Sequence, residues 1–297
     1  GLRWFLHMKV EHVPDRKLII LSQELYVNEL VDKFGSHLEG ITRSFSTPMS
    51  STDDFEEIEE PEPNSQEWRD MGTYRLVYMS LIGAYQWLTS GTRPDIGVAT
   101  QKLSQHTINP SMRHYKAALR VLIYLRDSAN LCLPLGSRND VVGLEPYTDA
   151  TWSIEHSISG FASFYNGSLF SWYCRKQRTI SRASAYAEAA ALDEGTKDII
   201  WQRQLLAYLG FGEDGPTVVR TDSTSAISIA NEAVHHKRNK HQLNTLAYLR
   251  DLVARFVIKP VHILGKLQIA DFFTKALALA PFVALRALML APLSQFK

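Results

Sequence analysis

"GLEPYTDATWS" (143–153) is a strand-like stretch bounded by glycine and serine, with the acid Asp149 towards its end. Two further stretches share its style. They are "SGFASFYNGSLFSWYC" (159–174) and "GPTVVRTDSTSAIS" (215–228), and in the second Asp222 closes the apolar run. Helical text lies between and after them, in "AYAEAAALDEGTKDIIWQRQLLAYLGF" (185–211) and "LQIADFFTKALAL" (267–279). Three strands, a helix, a strand, a helix, a strand and a C-terminal helix make an α/β plan.

Working outward, the first half has another character. "RWFLHMKVEHVPDRKLIILSQ" (3–23) alternates apolar and polar residues on both sides of "PDRK", which predicts a hairpin. "SQELYVNELVDKFG" (22–35) then predicts a helix with Leu25, Leu30, Val31 and Phe34 on one face, Ser22 as N-cap and Gly35 as stop. "STDDFEEIEEPEPNSQ" (51–66) is acidic and broken by Pro61 and Pro63, so it reads as an exposed linker, with phosphate mimicry as the less favoured alternative. From Tyr74 to Arg126 apolar residues recur three and four apart, as in a helical bundle. The change of style falls near "LCLPLGSRND" (131–140).

Bulk properties exclude several classes. The 297 residues are enough for two domains with separate cores, and 45% are hydrophobic. A net charge of +1 excludes a histone-like polycation but leaves room for local basic patches. Cys132 and Cys174 lack metal-ligand spacing, so two buried thiols in an intracellular setting are expected. The tail "ALALAPFVALRALMLAP" (276–292) is interrupted by Pro281 and Arg286, and predicts a docking helix, not membrane insertion. The sequence opens without methionine, so an upstream portion is expected.

Asp149 and Asp222 at strand ends, with Asp271 in the first turn of the last predicted helix, offer the carboxylates that a two-metal phosphodiesterase site requires. Singly, each reads as a turn or capping residue. "YCRKQRTISR" (173–182) and "HHKRNKH" (235–241) are dense in cations and suit sequence-independent contact with phosphates, although a solvated face is the default for such text.

These stretches carry a resemblance. "WFLHMKVEH", "IILSQELYVNELVDKFG", "STPM" (46–49) and "TRPDIGVATQKLSQHTINPSMRHYKAALRVLIYLRDS" resemble the end of the reverse transcriptase and the connection region of copia-type retrotransposon polyproteins. "YTDATWS", "AAALDEGTKDIIWQRQLLAYLGF", "RTDSTSAISIA", "HHKRNKH" and "LQIADFFTKAL" resemble the RNase H domain of the same family, in order. The resemblance implies an RNase H-like domain with a mixed five-stranded sheet over 138–297. Ahead of it come a thumb- or connection-like segment over 1–50, the linker over 51–66 and a helical region over 67–137.

It also implies catalytic and metal-binding Asp149, Asp222 and Asp271, Mg²⁺ or Mn²⁺ as cofactor, and an RNA/DNA hybrid or structured RNA as partner. Arg175, Lys176, Arg178, His236, Lys237, Arg238, Lys240 and His241 would contact nucleic acid. The polymerase palm is not in the sequence, so polymerisation is not expected. The family's fourth acid, counted back from Trp201 without gaps, falls on Tyr186, with Glu188 two residues later. Two helical positions differ by about 200° in direction, so Glu188 would point away from a site that Tyr186 faces. On that count the expected protein is a catalytically impaired RNase H-like scaffold or nucleic-acid-binding subunit of a larger complex. An active ribonuclease H and a folded relic of a decaying element are the alternatives.

Overall fold

The computed structural model describes residues 2–52, 60–136, 142–231 and 240–296, with residues 240–245 by their backbone alone. In chain order the elements are β1 (Trp4–Phe5), β2 (Met8–Val13), β3 (Leu18–Ser22), α1 (Glu24–Phe34), α2 (Gln66–Asp70), α3 (Gly72–Gly91), α4 (Gly97–Ser104), α5 (Met112–Asp127) and β4 (Leu131–Gly136). Then come β5 (Leu144–Thr151), β6 (Ile158–Tyr165), β7 (Ser168–Lys176), α6 (Ser184–Tyr208), β8 (Thr217–Thr221), α7 (Thr224–Asn231), α8 (Lys240–Ala254) and β9 (Ile258–His262). The last are α9 (Leu279–Met289) and β10 (Ala291–Pro292). They form two units, one of residues 1–136 with 276–297, the other of residues 137–275.

In the first unit, β2 and β3 pair antiparallel across a 3-10 turn at Pro14–Arg16, closed by Lys17 in the left-handed region at φ 51°. The predicted hairpin is present. Helix α1 starts one residue later than a Ser22 cap would give, although the Ser22 hydroxyl still accepts from the Glu24 N–H at 3.2 Å. Gly35 does not stop the chain in a left-handed turn; at φ −56° it leads into a 3-10 turn through Leu38. The face that α1 buries is Val27, Leu30 and Phe34, whereas Leu25 is exposed.

"LCLPLG", at the change of style, forms β4 against β3, with Leu131, Cys132 and Leu133 buried, and the units divide directly after it. The last segment, expected with the second domain, belongs to the first unit, where β10 pairs with β4 and extends the sheet to the order β1-β2-β3-β4-β10. Phe282 of α9 packs edge-on against Tyr124 at 6.0 Å, and Arg286 donates to the Tyr124 hydroxyl at 3.0 Å. Apolar contact with α5 thus decides where the predicted docking helix goes.

At the centre of this unit Arg93 is 1% exposed. Its guanidinium donates to both Asp95 carboxylate oxygens, at 2.9 and 2.8 Å, and to the Ser128 carbonyl and hydroxyl. Tyr124 donates to Asp95 at 2.6 Å. Burial alone would raise the Asp95 carboxyl, but Arg93 outweighs it and holds the group below its ordinary value.

The second unit holds a mixed five-stranded sheet, as expected. Its sheet has the order β7-β6-β5-β8-β9, with β5, β6 and β7 antiparallel and with β8 parallel to both β5 and β9. Asn166 and Gly167, both at positive φ, form the tight turn between β6 and β7. Helix α6 covers one face of the sheet through Ala189, Leu192 and Ile199, which share a core with Phe161, Val219, Ala226 and Leu249. No helix among the described residues is long and apolar enough to cross a membrane.

Two glycines set the spacing of the layers. A methyl group at Gly195 of α6 would lie 2.7 Å from Thr148 Cγ2 on β5. One at Gly160 of β6, the partner of Asp149, would lie 2.5 Å from Thr274 Cγ2 and 2.9 Å from the Ala270 carbonyl oxygen.

Two outcomes follow for stability. Asp95→Ala leaves Arg93 buried without its carboxylate, and chemical denaturation should show a loss of about 3–5 kcal/mol. Gly160→Ala should cost about 1–3 kcal/mol by overpacking, read in the same way.

Candidate active site

The carboxylates gather where β5 and β8, parallel neighbours, reach their C-terminal ends, the place where open α/β sheets present ligand sites. Asp149 lies near the end of β5, and Asp222 follows β8 directly. Glu188 comes from the second turn of α6. Ligand oxygens of Asp149, Glu188 and Asp222 lie within 4.8 Å of one another.

This corrects the expected register. Ala187 and Ala191 of α6 pack on Ala150 of β5, and that contact turns the intervening Glu188 towards the strand end. The Glu188 Oε2 accepts the Ala150 N–H at 3.1 Å. The angular argument holds, since positions two apart face opposite ways, but the small-residue face of the helix brings Glu188 to the two aspartates. Counting without gaps could not detect which side of α6 the sheet takes.

Asp271 is near but differently placed. It lies in a 3-10 turn, Ile269–Phe273, and not in the first turn of the last helix, which begins only at Leu279. Gln268 opens that turn by accepting the Ala270 N–H at 3.2 Å, while its amide donates to the Thr148 carbonyl at 3.0 Å. The turn is therefore tied to β5. Thr274 closes it, with its hydroxyl donating to Asp149 Oδ2 and its carbonyl accepting from the Thr151 hydroxyl. Lys275 Nζ lies 2.6 Å from Asp271 Oδ1 and 3.4 Å from Asp149 Oδ2.

Crowded acids perturb one another. Burial, then repulsion from Asp149 and Asp222, pushes Glu188 up to about 8, against the pull of Lys275 and the Ala150 N–H. Burial pushes Asp271 up to about 6; the hydrogen bond from Lys275 opposes this and Asp149 adds to it. Burial would lower Lys275, but Asp149 and Asp271 outweigh it and raise the ammonium to about 12. Three hard oxygen donors that repel each other at this range fit a hard divalent cation.

Arg175, Lys176 and Arg178 are exposed at the end of β7 and in the loop beyond it. Arg175 lies 4.2 Å over the Tyr173 ring. Gln177, buried between them, holds the loop by donating to Ser159 Oγ at 2.9 Å and to the Ala187 carbonyl at 2.8 Å. Trp152 donates from its indole to the Ser181 carbonyl at 2.9 Å, tying the same loop to the strand end. His236, Lys237 and Arg238 lie outside the described residues, as do the side chains of Lys240 and His241. Thr274, Lys275 and Gln268 were not singled out from sequence. The four-residue spacing of Asp271 and Lys275 was the available signal for the pairing.

No protein-family model matches the chain. It is 28% identical over 274 residues to the retrovirus-related Pol polyprotein from transposon TNT 1-94 of Nicotiana tabacum, covering 91% of this chain and 20% of that protein. To the retrovirus-related Pol polyprotein from transposon RE1 of Arabidopsis thaliana it is 28% identical over 287 residues, covering 95% of this chain and 18% of that protein. The chain thus spans about a fifth of the length of the curated relatives it matches. Among solved structures, LC11-RNase H1 in complex with RNA/DNA hybrid aligns with 44% of this chain and 92% of its own, at 17% identity and a TM-score of 0.33.

The raised carboxyl of Glu188 has a pH consequence without added cations. A folded value above the ordinary 4.5 favours the protonated acid, so its contribution to stability is complete below about 4.5 and is lost as pH rises through about 8. Glu188→Gln should remove that loss, gaining on the order of 1 kcal/mol over the parent at pH 8.5 and little at pH 4.5, by urea denaturation at both values.

Proposed function

We propose that the second unit of this chain, which is similar to part of the Pol polyproteins of copia-type retrotransposons, is an active, divalent-cation-dependent ribonuclease H that cuts the RNA strand of RNA/DNA hybrids. The observation that carries this reading is the convergence of Asp149, Glu188 and Asp222 at the C-terminal ends of β5 and β8. The expectation of an impaired scaffold rested on Tyr186 in the fourth position. Glu188 beside the two aspartates supports the active reading instead.

In this reading Asp149, Glu188 and Asp222 hold Mg²⁺ or Mn²⁺. Such an ion, when bound, activates a water and neutralises charge developing on a phosphodiester. The chain's own residues prepare the place for it. The Thr274 hydroxyl and the Ala150 N–H fix the Asp149 and Glu188 carboxylates, so little reorganisation remains at the moment of reaction. Glu188, protonated in part near neutral pH, gives up its proton to become a ligand, which ties activity to rising pH. Arg175, Lys176 and Arg178 supply exposed positive charge for a nucleic-acid backbone, an attraction that weakens with salt and ignores sequence.

The test is cleavage of a hybrid labelled separately on each strand, with Mg²⁺ or Mn²⁺. The RNA strand should be cut and the DNA strand left intact. Glu188→Gln and Asp149→Asn should each lower the rate by about a hundredfold or more, and Tyr186→Phe should leave it within about threefold. A silent parent chain with either ion, or full activity in Glu188→Gln, would overturn the proposal.

A further inference from the structure

We propose that the Lys275 ammonium stands where a second cation would sit, so that this site takes one divalent ion, with Lys275 as the fixed positive charge between Asp149 and Asp271. The inference rests on the reading of Asp149, Glu188 and Asp222 as a cation site, and concerns which charges the remaining carboxylate meets.

Asp271 is not among the three residues whose oxygens converge. Its Oδ1 faces Lys275 Nζ at 2.6 Å, and the same nitrogen reaches Asp149 Oδ2 at 3.4 Å. A dication shared by Asp149 and Asp271 would need oxygens at roughly 2.1 Å, in the space between the two carboxylates that the ammonium now bridges. Two positive centres that close repel strongly, so one of them must be elsewhere.

Lys275 is held there by the backbone, unlike a surface lysine that meets an acid by chance. Its neighbour Thr274 is gripped from two sides: the hydroxyl donates to Asp149, and the carbonyl accepts from Thr151 at 3.1 Å. Beneath it, Gly160 leaves room for the Thr274 methyl, which a side chain at that position would displace. Asp271 and Lys275 are four residues apart on one turn, so the ammonium comes with the carboxylate and is never diluted away. Displacing it would mean exchanging two charge-assisted contacts for metal ligation, a cost that weakens any second ion.

The side chain of Lys275 is 42% exposed, so truncation does not open a core cavity. The experiment is a Mn²⁺ titration of the whole chain without nucleic acid, with free Mn²⁺ followed by electron paramagnetic resonance. The parent, Lys275→Ala, Lys275→Met, Lys275→Arg and Glu188→Gln would be compared, each first shown by circular dichroism to melt cooperatively.

The expected result is one bound ion in the parent and in Lys275→Arg, and two in Lys275→Ala or Lys275→Met. Glu188→Gln should lose the ion of the parent, with at least a tenfold weaker affinity. Two ions in the parent overturn the inference whatever the variants do, and leave the cation reading of the site intact. One ion in every Lys275 variant also overturns it. No ion in any chain overturns the cation reading itself, and this inference with it.

Discussion

Close approach between layers is the constraint on which the second unit depends. Helix α6 can lie against β5 only because Gly195 has no side chain to meet Thr148, and because Ala187 and Ala191 are small enough to rest on Ala150. The same economy at Gly160 lets the segment from Gln268 to Lys275 settle on the other part of the sheet. Side chains of ordinary size at these positions would push helix and turn outward by more than the few tenths of an ångström that a packed core yields. The carboxylates would then no longer meet.

That convergence is costly in electrostatic terms. Acids held within 4.8 Å of one another, partly out of water, push one another's proton affinity upward, and Glu188 shows the effect most clearly. The fold offsets part of the cost with neutral donors, the Thr274 hydroxyl and the Ala150 N–H, and part with one cation from within, Lys275. A site arranged in this way keeps its geometry at the expense of stability, as preorganised sites commonly do.

The first unit solves a different problem. The buried Arg93 is paired, since it meets Asp95 through two hydrogen bonds and Tyr124 supplies a third to the same carboxylate. Arg286 of α9 joins the network through Tyr124, which links the end of the chain to the helical layer. A paired, hydrogen-bonded ion cluster specifies one arrangement of these segments more than it stabilises them, because desolvation consumes most of the Coulombic gain.

Much of this was legible in the residues. Alternation on either side of "PDRK" determined the hairpin, helical spacing determined α3 and α5, and the order of strand-like and helical stretches determined an α/β plan, with the mixed sheet implied by the resemblance. Asp149 and Asp222 were legible as strand-end acids because a short apolar run broken by Asp reads directly as such an end. Three things were decided only in three dimensions. Which of Tyr186 and Glu188 enters the site depends on the face of α6 that meets the sheet, and the near-uniform run of alanines around them gives no apolar stripe to declare it. The place of β4 and β10 depends on pairing between segments far apart in the chain, which local pattern does not encode. The role of Lys275 depends on Asp149, more than a hundred residues away, arriving beside it. Local patterns determine elements because they depend on near neighbours; a site depends on distances across the sheet, and packing alone sets those.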